Sequence, residues 1–443
     1  ELSNFASFFD SEESTWNPKW FPYGSFPLYA LRGVQLVSEA IGTEIVDLRI
    51  TGRAISGLAD VITLFIVYLL ASRIYNRRVG LVAAGFLAVT VLHIQLSHFF
   101  AVDTVQAMFA AVSLFFMYRV AREGGIRNSA LAGLFIGLGL ATKASQVPIC
   151  LAFGVAHIMY LFNLAGRSEN SPIDFSARLR LTAYGAVAGM AVALAAFFIT
   201  QPYALLDWTR YKADLTEQSE MVRRLLDYPY TRQYVDTLPY WYFIKQNAVW
   251  GLGLPLGILA WCGTLFVTVR GLNWRHALGY VGFGLLLPGA ILVWSHSLMA
   301  VAIAAAIAIA GLLISLPLRR SDTRIEVLFL AWVIPYFLIT GSFEVKFMRY
   351  LIPITPFLIL FGSRFAFAMW REGESLWQRV LQGRYFTVGR SMMVGIALFI
   401  TGATGFYAFS YLSVYSEPHT AVRASDWINE NVRATTVVLK EHW

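Results

Sequence analysis

Charge is what this chain has least of. Asp, Glu, Lys and Arg make up 14% of its 443 residues, against roughly 25% in soluble domains. Hydrophobic residues reach 57% and mean hydropathy is +0.57. Such a chain cannot cover a water-exposed surface with polar groups, which excludes an ordinary soluble fold. Cysteine is almost absent: Cys150 and Cys262 each lie inside an apolar run. A disulfide framework is excluded, and both read as small core residues. No His/Cys/Asp set has metal-ligand spacing. No glycine-rich phosphate loop and no serine nucleophile elbow occur, nor any repeat or low-complexity tract. A nucleic-acid partner is excluded despite the net charge of +8, because the cations sit in short gaps between apolar runs rather than on one soluble face. The chain opens at Glu1 without a signal peptide or anchor and stops at Lys440-Glu-His-Trp443 without a closing element. It reads as a piece of a longer protein.

Long apolar runs are what it does have. A spanning helix needs about 20 apolar residues, and about twelve segments qualify. They cover roughly 50–75, 79–99, 103–121, 127–143, 146–166, 180–200, 248–269, 276–294, 298–316, 325–342, 350–369 and 391–412. The expected fold class is an all-α, multi-span membrane protein. Alternate gaps are basic: Arg73, Arg77 and Arg78; Arg119, Arg122 and Arg127; Arg167, Arg178 and Arg180. The series continues with Arg270 and Arg275; Arg319, Arg320 and Arg324; Arg371, Arg379, Arg384 and Arg390. The gaps at 97–102 and 294–297, the latter centred on His296, hold no Lys or Arg. Basic loops stay in the cytoplasm, so residues 1–49, 201–247 and 413–443 are expected outside. Residues 1–49 form an incomplete first outer loop, in which Tyr29 to Val37 suits a helix lying on the membrane surface. Residues 50–412 form the membrane domain, with the long outer loop 201–247. That loop is rich in aromatics (Trp208, Tyr211, Tyr228, Tyr230, Tyr234, Tyr240, Trp241, Tyr242), which suits either an interfacial belt or a carrier- or acceptor-binding surface. Residues 413–443 begin a further outer domain, its first helix running from His419 to Val432.

Charges at membrane depth are costly and usually functional. Four places carry them: His98 with Asp103, Lys143, Lys346 with Arg349, and Arg53 with Asp60. Each has a structural alternative. Asp103-Thr104 suits a helix N-cap. Lys143 and Arg349 can snorkel to the interface. Arg53 and Asp60, two helical turns apart, can pair. A lone His98 suits hydrogen-bonded packing. Their convergence says more than any one of them. Arg53, Lys143, Lys346 and Arg349, with Asp103, are expected at one membrane face, the depth at which a polyprenyl-phosphate sugar presents its phosphate. Cations there hold the donor and offset the charge of the departing phosphate. A carboxylate can deprotonate an acceptor hydroxyl.

Several of these stretches resemble one family. They are Asn17-Pro-Lys-Trp-Phe-Pro-Tyr-Gly-Ser-Phe-Pro-Leu-Tyr, Gly52-Arg53-Ala-Ile-Ser, the Asp103-Thr104 helix start, Gly-Leu-Ala-Thr-Lys143, and Lys346-Phe-Met-Arg349-Tyr350-Leu-Ile-Pro-Ile-Thr-Pro356. Ala424-Ser425-Asp-Trp427-Ile matches the downstream segment of bacterial members. In order and topology they resemble the protein O-mannosyltransferase-like (PMT, family 39) glycosyltransferases of the GT-C superfamily, over nearly the whole chain. The resemblance implies a GT-C-like helix bundle in a bacterial cytoplasmic membrane. It implies transfer of a sugar, a mannose-like hexose among the candidates, from a polyprenyl-phosphate carrier at the extracytoplasmic face, with inversion. The acceptor, whether protein, lipid or glycan, stays open. The donor phosphate would be held by Arg53, Lys143, Lys346 and Arg349, with His98 and Tyr350 as further candidates. No cofactor is expected, with a divalent metal left open. The family's acidic motif, often Asp-Glu, lies ahead of the Asn-Pro…Tyr-Gly segment and here would precede Glu1. Asp10, Glu12 and Glu13 do not match it. The principal base is therefore expected outside this chain, Asp103 has a supporting role, and the chain alone is expected to be inactive. The competing classes are a transporter or lipid flippase, which favours internal repeats and midplane helix breaks, and a lipid-linked oligosaccharide polymerase or ligase, which favours a long outer loop late in the chain.

Overall fold

The computed structural model describes residues 8–43, 47–165, 174–295, 297–380, 384–418, 420–433 and 436–437, with side chains of 372–390 excluded. Glu1, Arg167, His296, His419 and the Lys440–Trp443 end fall outside it, as do the side chains of Arg379, Arg384 and Arg390. Among the described residues there are helices and no strands. In lipid every backbone N–H and C=O needs a partner within the chain, and a helix supplies one locally.

A surface helix α1 (Phe26–Ala40) precedes the bundle. Then come α2 (Leu48–Ile74), the bent pair α3 (Arg77–Ala88) and α4 (Val91–Ser97), α5 (Val102–Glu123), α6 (Ile126–Leu140), α7 (Ile149–Leu161) and α8 (Phe175–Thr200). The long loop carries α9 (Trp208–Val222) and α10 (Trp241–Gln246). The second half holds α11 (Leu254–Val269), α12 (Trp274–Tyr280), α13 (Leu287–Trp294), α14 (Leu298–Leu318), α15 (Glu326–Gly341), α16 (Thr355–Val380), α17 (Arg384–Leu412) and α18 (Thr420–Asn431). Among the described residues, seven helical stretches are long and apolar enough to cross a membrane, or eight if α3 and α4 form one span. The chain is a multi-span membrane protein. A helix lies over each apolar segment of the sequence, several ends shift by five residues or more, and three departures have a local cause. The segment 79–99 is broken, α3 and α4 meeting at 57°. The segment at 248 is preceded by α10 and a π turn (Asn247–Gly251), and Gly253 at φ +79° separates the turn from α11. The segment at 350 starts five residues later, at Thr355, because Met348–Leu351 is a 3-10 turn and Pro353 and Pro356 follow it.

Small residues bring the helices together. On α6, Ser129, Gly133 and Gly137 recur every four residues, facing Gly185, Gly189 and Ala193 on α8. A Cβ on Gly133 would meet the Gly189 carbonyl oxygen at 2.0 Å. Close backbone approach of this kind gains dispersion contact where lipid supplies no hydrophobic drive. The other face of α8 carries Val187, Met190, Leu194 and Ile199, all exposed. Helix α15 has no such face. Phe329, Trp332 and Tyr336 are each buried to 2% exposure or less, as expected of a helix apolar all round. Cys150 and Cys262, expected in the core, are free thiols on exposed helix faces. Their small apolar side chains suit the lipid-facing surface equally well.

Two arginines at the basic-loop end are paired within the protein. Arg270 reaches Glu326 at 2.6 Å and Asp322 at 3.2 Å, and Tyr75 donates to Glu326 at 2.9 Å. The Arg319 guanidinium donates to the carbonyls of Val267, Thr268 and Arg270.

Candidate active site

Helix α6 is short, and its end builds one wall of a cavity. After Leu140 the carbonyls of Ala141 and Thr142 would be orphaned, as at any helix C-terminus. The amides of Phe26 and Gly24 donate to them at 3.1 and 3.0 Å. A Cβ on Gly24 would stand 1.9 Å from the Ala141 oxygen, so only glycine fits. This contact sets Tyr23 beside Lys143, whose ammonium lies 5.7 Å from the Tyr23 ring and 5.0 Å from that of Tyr350. The 8–25 segment is pinned from above by the long loop. Tyr203 bonds Ser14 at 2.5 Å, Asn17 donates to Asp207 at 2.9 Å, and the Phe21 amide donates to Asp214 at 2.6 Å.

The cavity has a volume of about 830 Å³. Its walls come from Trp20–Tyr23, the turn at Lys143, the end of α9, the start of α14, the end of α15 and the Phe347–Tyr350 turn. In the sequence all of these belong to the gaps that alternate with the basic ones. Lys143 and Arg349 are its deep cations. Lys143 donates to Asp103 Oδ1 at 2.6 Å, and both residues are less than a tenth exposed. Arg349 lies over the Phe347 ring at 5.0 Å. Its Nε is buried and has no hydrogen-bond acceptor among the described residues. Burial opposes that charge, but the fields of Tyr23, Asp103 and Tyr350 outweigh it and hold the guanidinium above its ordinary pKa.

The structure brings together Lys143, Arg349, Tyr350 and, behind Lys143, Asp103. It does not bring in the rest. Arg53 is exposed on α2 and forms no ion pair among the described residues. Its expected partner Asp60 is held instead by His93 at 2.5 Å and Ser97 at 2.8 Å. Two turns of one helix cannot compete with a neighbouring helix that offers two donors. Lys346 is fully buried off the cavity wall, donating to the Glu344 carbonyl at 3.1 Å with the Glu344 carboxylate 4.0 Å away. Burial holds its pKa below the ordinary lysine value. His98 donates from Nδ1 to the Ile94 carbonyl at 2.7 Å and stacks on Tyr415 at 4.0 Å, a packing role. Asp103 is not an N-cap. Ala101 holds that position, and the carboxylate points to Lys143 instead.

Sequence reasoning did not single out Trp20 or Glu217, and it named Tyr230 only among the aromatics of the long loop. Trp20 and Tyr230 line the cavity and are 51% and 44% exposed. Glu217 also lines it, and accepts from Tyr228 at 2.6 Å, a bond that pushes the Tyr228 phenol up to about 12. Nothing in their local sequence separates them from belt residues such as Trp208 and Trp241, which are exposed but lie outside the cavity wall. Among the described residues no group of three or more His, Cys, Asp or Glu could hold a metal ion. The carboxylate nearest the deep cations is already taken by Lys143.

Comparison with known proteins adds a family. Residues 40–197 match the sequence model of the dolichyl-phosphate-mannose-protein mannosyltransferase family. The match includes Arg53, Asp103 and Lys143 and bears out, over that segment, the resemblance read from the motifs. No curated protein matches the chain significantly. Among solved structures, the chain is similar to the archaeal oligosaccharyltransferase AglB from Archaeoglobus fulgidus in complex with an inhibitory peptide and a dolichol-phosphate. The identity is 15%, over 93% of this chain and 50% of that one, with TM-score 0.48. It is also similar to ArnT from Cupriavidus metallidurans bound to undecaprenyl phosphate, at 14% identity over 91% of this chain and 68% of that one, TM-score 0.48. The chain thus spans about half the length of the oligosaccharyltransferase.

Proposed function

We propose that this chain carries the donor site of a membrane glycosyltransferase, which moves a sugar from a polyprenyl-phosphate carrier to an acceptor at the extracytoplasmic face, with inversion. The observation that carries the reading is Arg349. A guanidinium in a cavity of this size, with a buried Nε that no described residue accepts from, favours an anion that completes it. Its planar fork suits a phosphate bidentately. Lys143 adds a point charge whose direction is fixed by Asp103. The family description, which names a dolichyl-phosphate-linked mannose as donor, supports the same chemistry.

In this reading the two cations bind the phosphodiester and stabilise the negative charge that grows on the phosphate as the sugar–oxygen bond breaks. Asp103 is a positioning residue. Its Oδ1 is bound to an ammonium and the side chain is 3% exposed, so it is poorly placed to meet an acceptor. The acceptor's proton goes to another carboxylate.

The test is binding of undecaprenyl phosphate to the purified protein in detergent. Losing one charged hydrogen bond to a phosphate costs ~1.5–3 kcal/mol, roughly ten- to a hundredfold. Arg349→Ala is expected to lose that much affinity with melting temperature unchanged. Arg349→Lys recovers only part, because the fork is lost. Unaltered affinity in Arg349→Ala overturns the assignment. A protein that moves the carrier across the bilayer without transferring its sugar is instead a flippase.

A further inference from the structure

The donor reading leaves the acceptor open, and the outer part of the same cavity bears on it. The cavity changes character along its walls. Lys143 and Arg349 are cationic, as is Arg223 past the end of α9, where its Nε donates to the Ser219 carbonyl, whereas Trp20, Glu217, Gln218 and Tyr230 offer aromatic faces and neutral or acidic hydrogen-bonding groups. Trp20 meets Tyr23 edge to face, with centroids 5.5 Å apart and an interplanar angle of 75°. Only an edge touches it there, and half of its surface stays open. The wall with Glu217 is held rigid. Glu217 fixes Tyr228, which stacks on Tyr230 at 5.5 Å and 16°, and Tyr230 in turn lies 6.3 Å from Phe347. The Trp20 loop is anchored to α9 through Phe21 and Asp214.

We infer, given the donor reading, that the acceptor is a glycan whose sugar ring stacks on Trp20 while Glu217 and Gln218 bond its hydroxyls. A pyranose has a face of polarised C–H bonds and a rim of hydroxyls. The negative π face of an indole attracts the first, and a carboxylate and an amide serve the second. The preformed wall lowers the entropy lost on binding. An aromatic belt is the competing explanation for tryptophan and tyrosine at this depth. It suits Trp208 and Trp241, which lie off the cavity, but not Trp20, which lines it. A peptide acceptor is the other alternative. The wall combines an open indole face with hydroxyl-bonding groups, the set a sugar ring needs, and a peptide is carried as the competing arm of the titration.

The experiment titrates the purified chain in detergent with methyl α-mannoside, maltose, chitobiose and a Ser/Thr-rich peptide, following ligand signals by saturation-transfer NMR. Undecaprenyl phosphate binding is measured in parallel. At least one sugar is expected to bind saturably. Trp20→Ala, at an exposed position, should weaken it roughly tenfold, equivalent to about 1.4 kcal/mol, and Glu217→Gln a few-fold, both with undecaprenyl phosphate affinity unchanged. Arg349→Ala should show the reverse pattern. Saturable binding of the peptide alone, no saturable sugar, or sugar binding indifferent to Trp20→Ala overturns the inference. Trp20-dependent sugar binding in a protein that does not bind undecaprenyl phosphate overturns the donor reading and leaves the glycan site standing.

Discussion

The two ends of the bundle both bury arginines, and they treat them differently. At the basic-loop end Arg270 is bound by two carboxylates, and Arg319 gives its guanidinium to three carbonyls. At the cavity end Arg349 keeps a buried Nε with no acceptor among the described residues, and Lys143 has one carboxylate partner. Burying a charge costs several kcal/mol unless geometry and hydrogen bonds offset it. Arg270 and Arg319 are therefore satisfied as folded. Arg364, whose buried Nε at the same end also has no acceptor among the described residues, lies over the Tyr75 ring and off the cavity wall, whereas the unused donor of Arg349 lies in the wall of a cavity that a ligand can enter. A cation's sign and depth do not distinguish the two cases, nor does an unused donor alone; an unused donor in the wall of a cavity does.

The largest expected effect lies at the basic-loop end. Arg270→Ala leaves Glu326, whose side chain has no exposure, without its cation. Breaking a buried pair from one side costs about 3–5 kcal/mol, read as a fall in melting temperature in detergent. Arg270→Met combined with Glu326→Leu should recover most of it. A small loss in the single variant would mean that Tyr75 and proton uptake by Glu326 suffice, and the contrast between the ends would weaken.

Next comes the cavity end, where the effect should appear in binding rather than stability. Lys143→Met removes a phosphate contact and also leaves Asp103 as an unpaired anion behind the donor. Undecaprenyl phosphate affinity should fall roughly a hundredfold, about 2.7 kcal/mol, within the range for truncating one member of a buried charge pair. Adding Asp103→Asn removes the repulsion and should return part of the affinity. If the double variant binds no better than Lys143→Met, Asp103 does not act through Lys143.

How much of this was legible in the sequence follows the same division. The helices were legible because length and hydropathy decide what a bilayer accepts. That α15 is central while α8 faces lipid was not, since both are apolar; only the glycines of α6 and α8 hint at which side packs. Arg349 and Lys143 stood out as charges beside apolar runs. Lys346 and Arg53 stood out for the same reason and do not line the cavity, because sequence gives depth but not direction. The Lys143–Asp103 bond joins residues 40 positions apart, and Trp20 and Glu217 meet at the cavity only through the fold. No local pattern announces either.

The gentlest test asks which end faces out of the cell, and it should leave stability untouched. Ser321 lies at the basic-loop end and Ser416 beyond α17, and both are exposed. The stack of Tyr415 on His98 ties the Ser416 segment to the gap at 97–102, which holds no Lys or Arg. Basic loops are retained in the cytoplasm, so the cavity end should be the outer one. The native thiols Cys150 and Cys262 are exposed on helix faces and are first replaced by alanine. In that background Ser416→Cys should react with an impermeant thiol reagent on intact cells, and Ser321→Cys should react only after lysis. The reverse pattern would put the unpaired Arg349 at the cytoplasmic face. The donor site would then have to draw on carrier in the inner leaflet, and the proposed extracytoplasmic transfer would fail, even if every binding measurement above came out as expected.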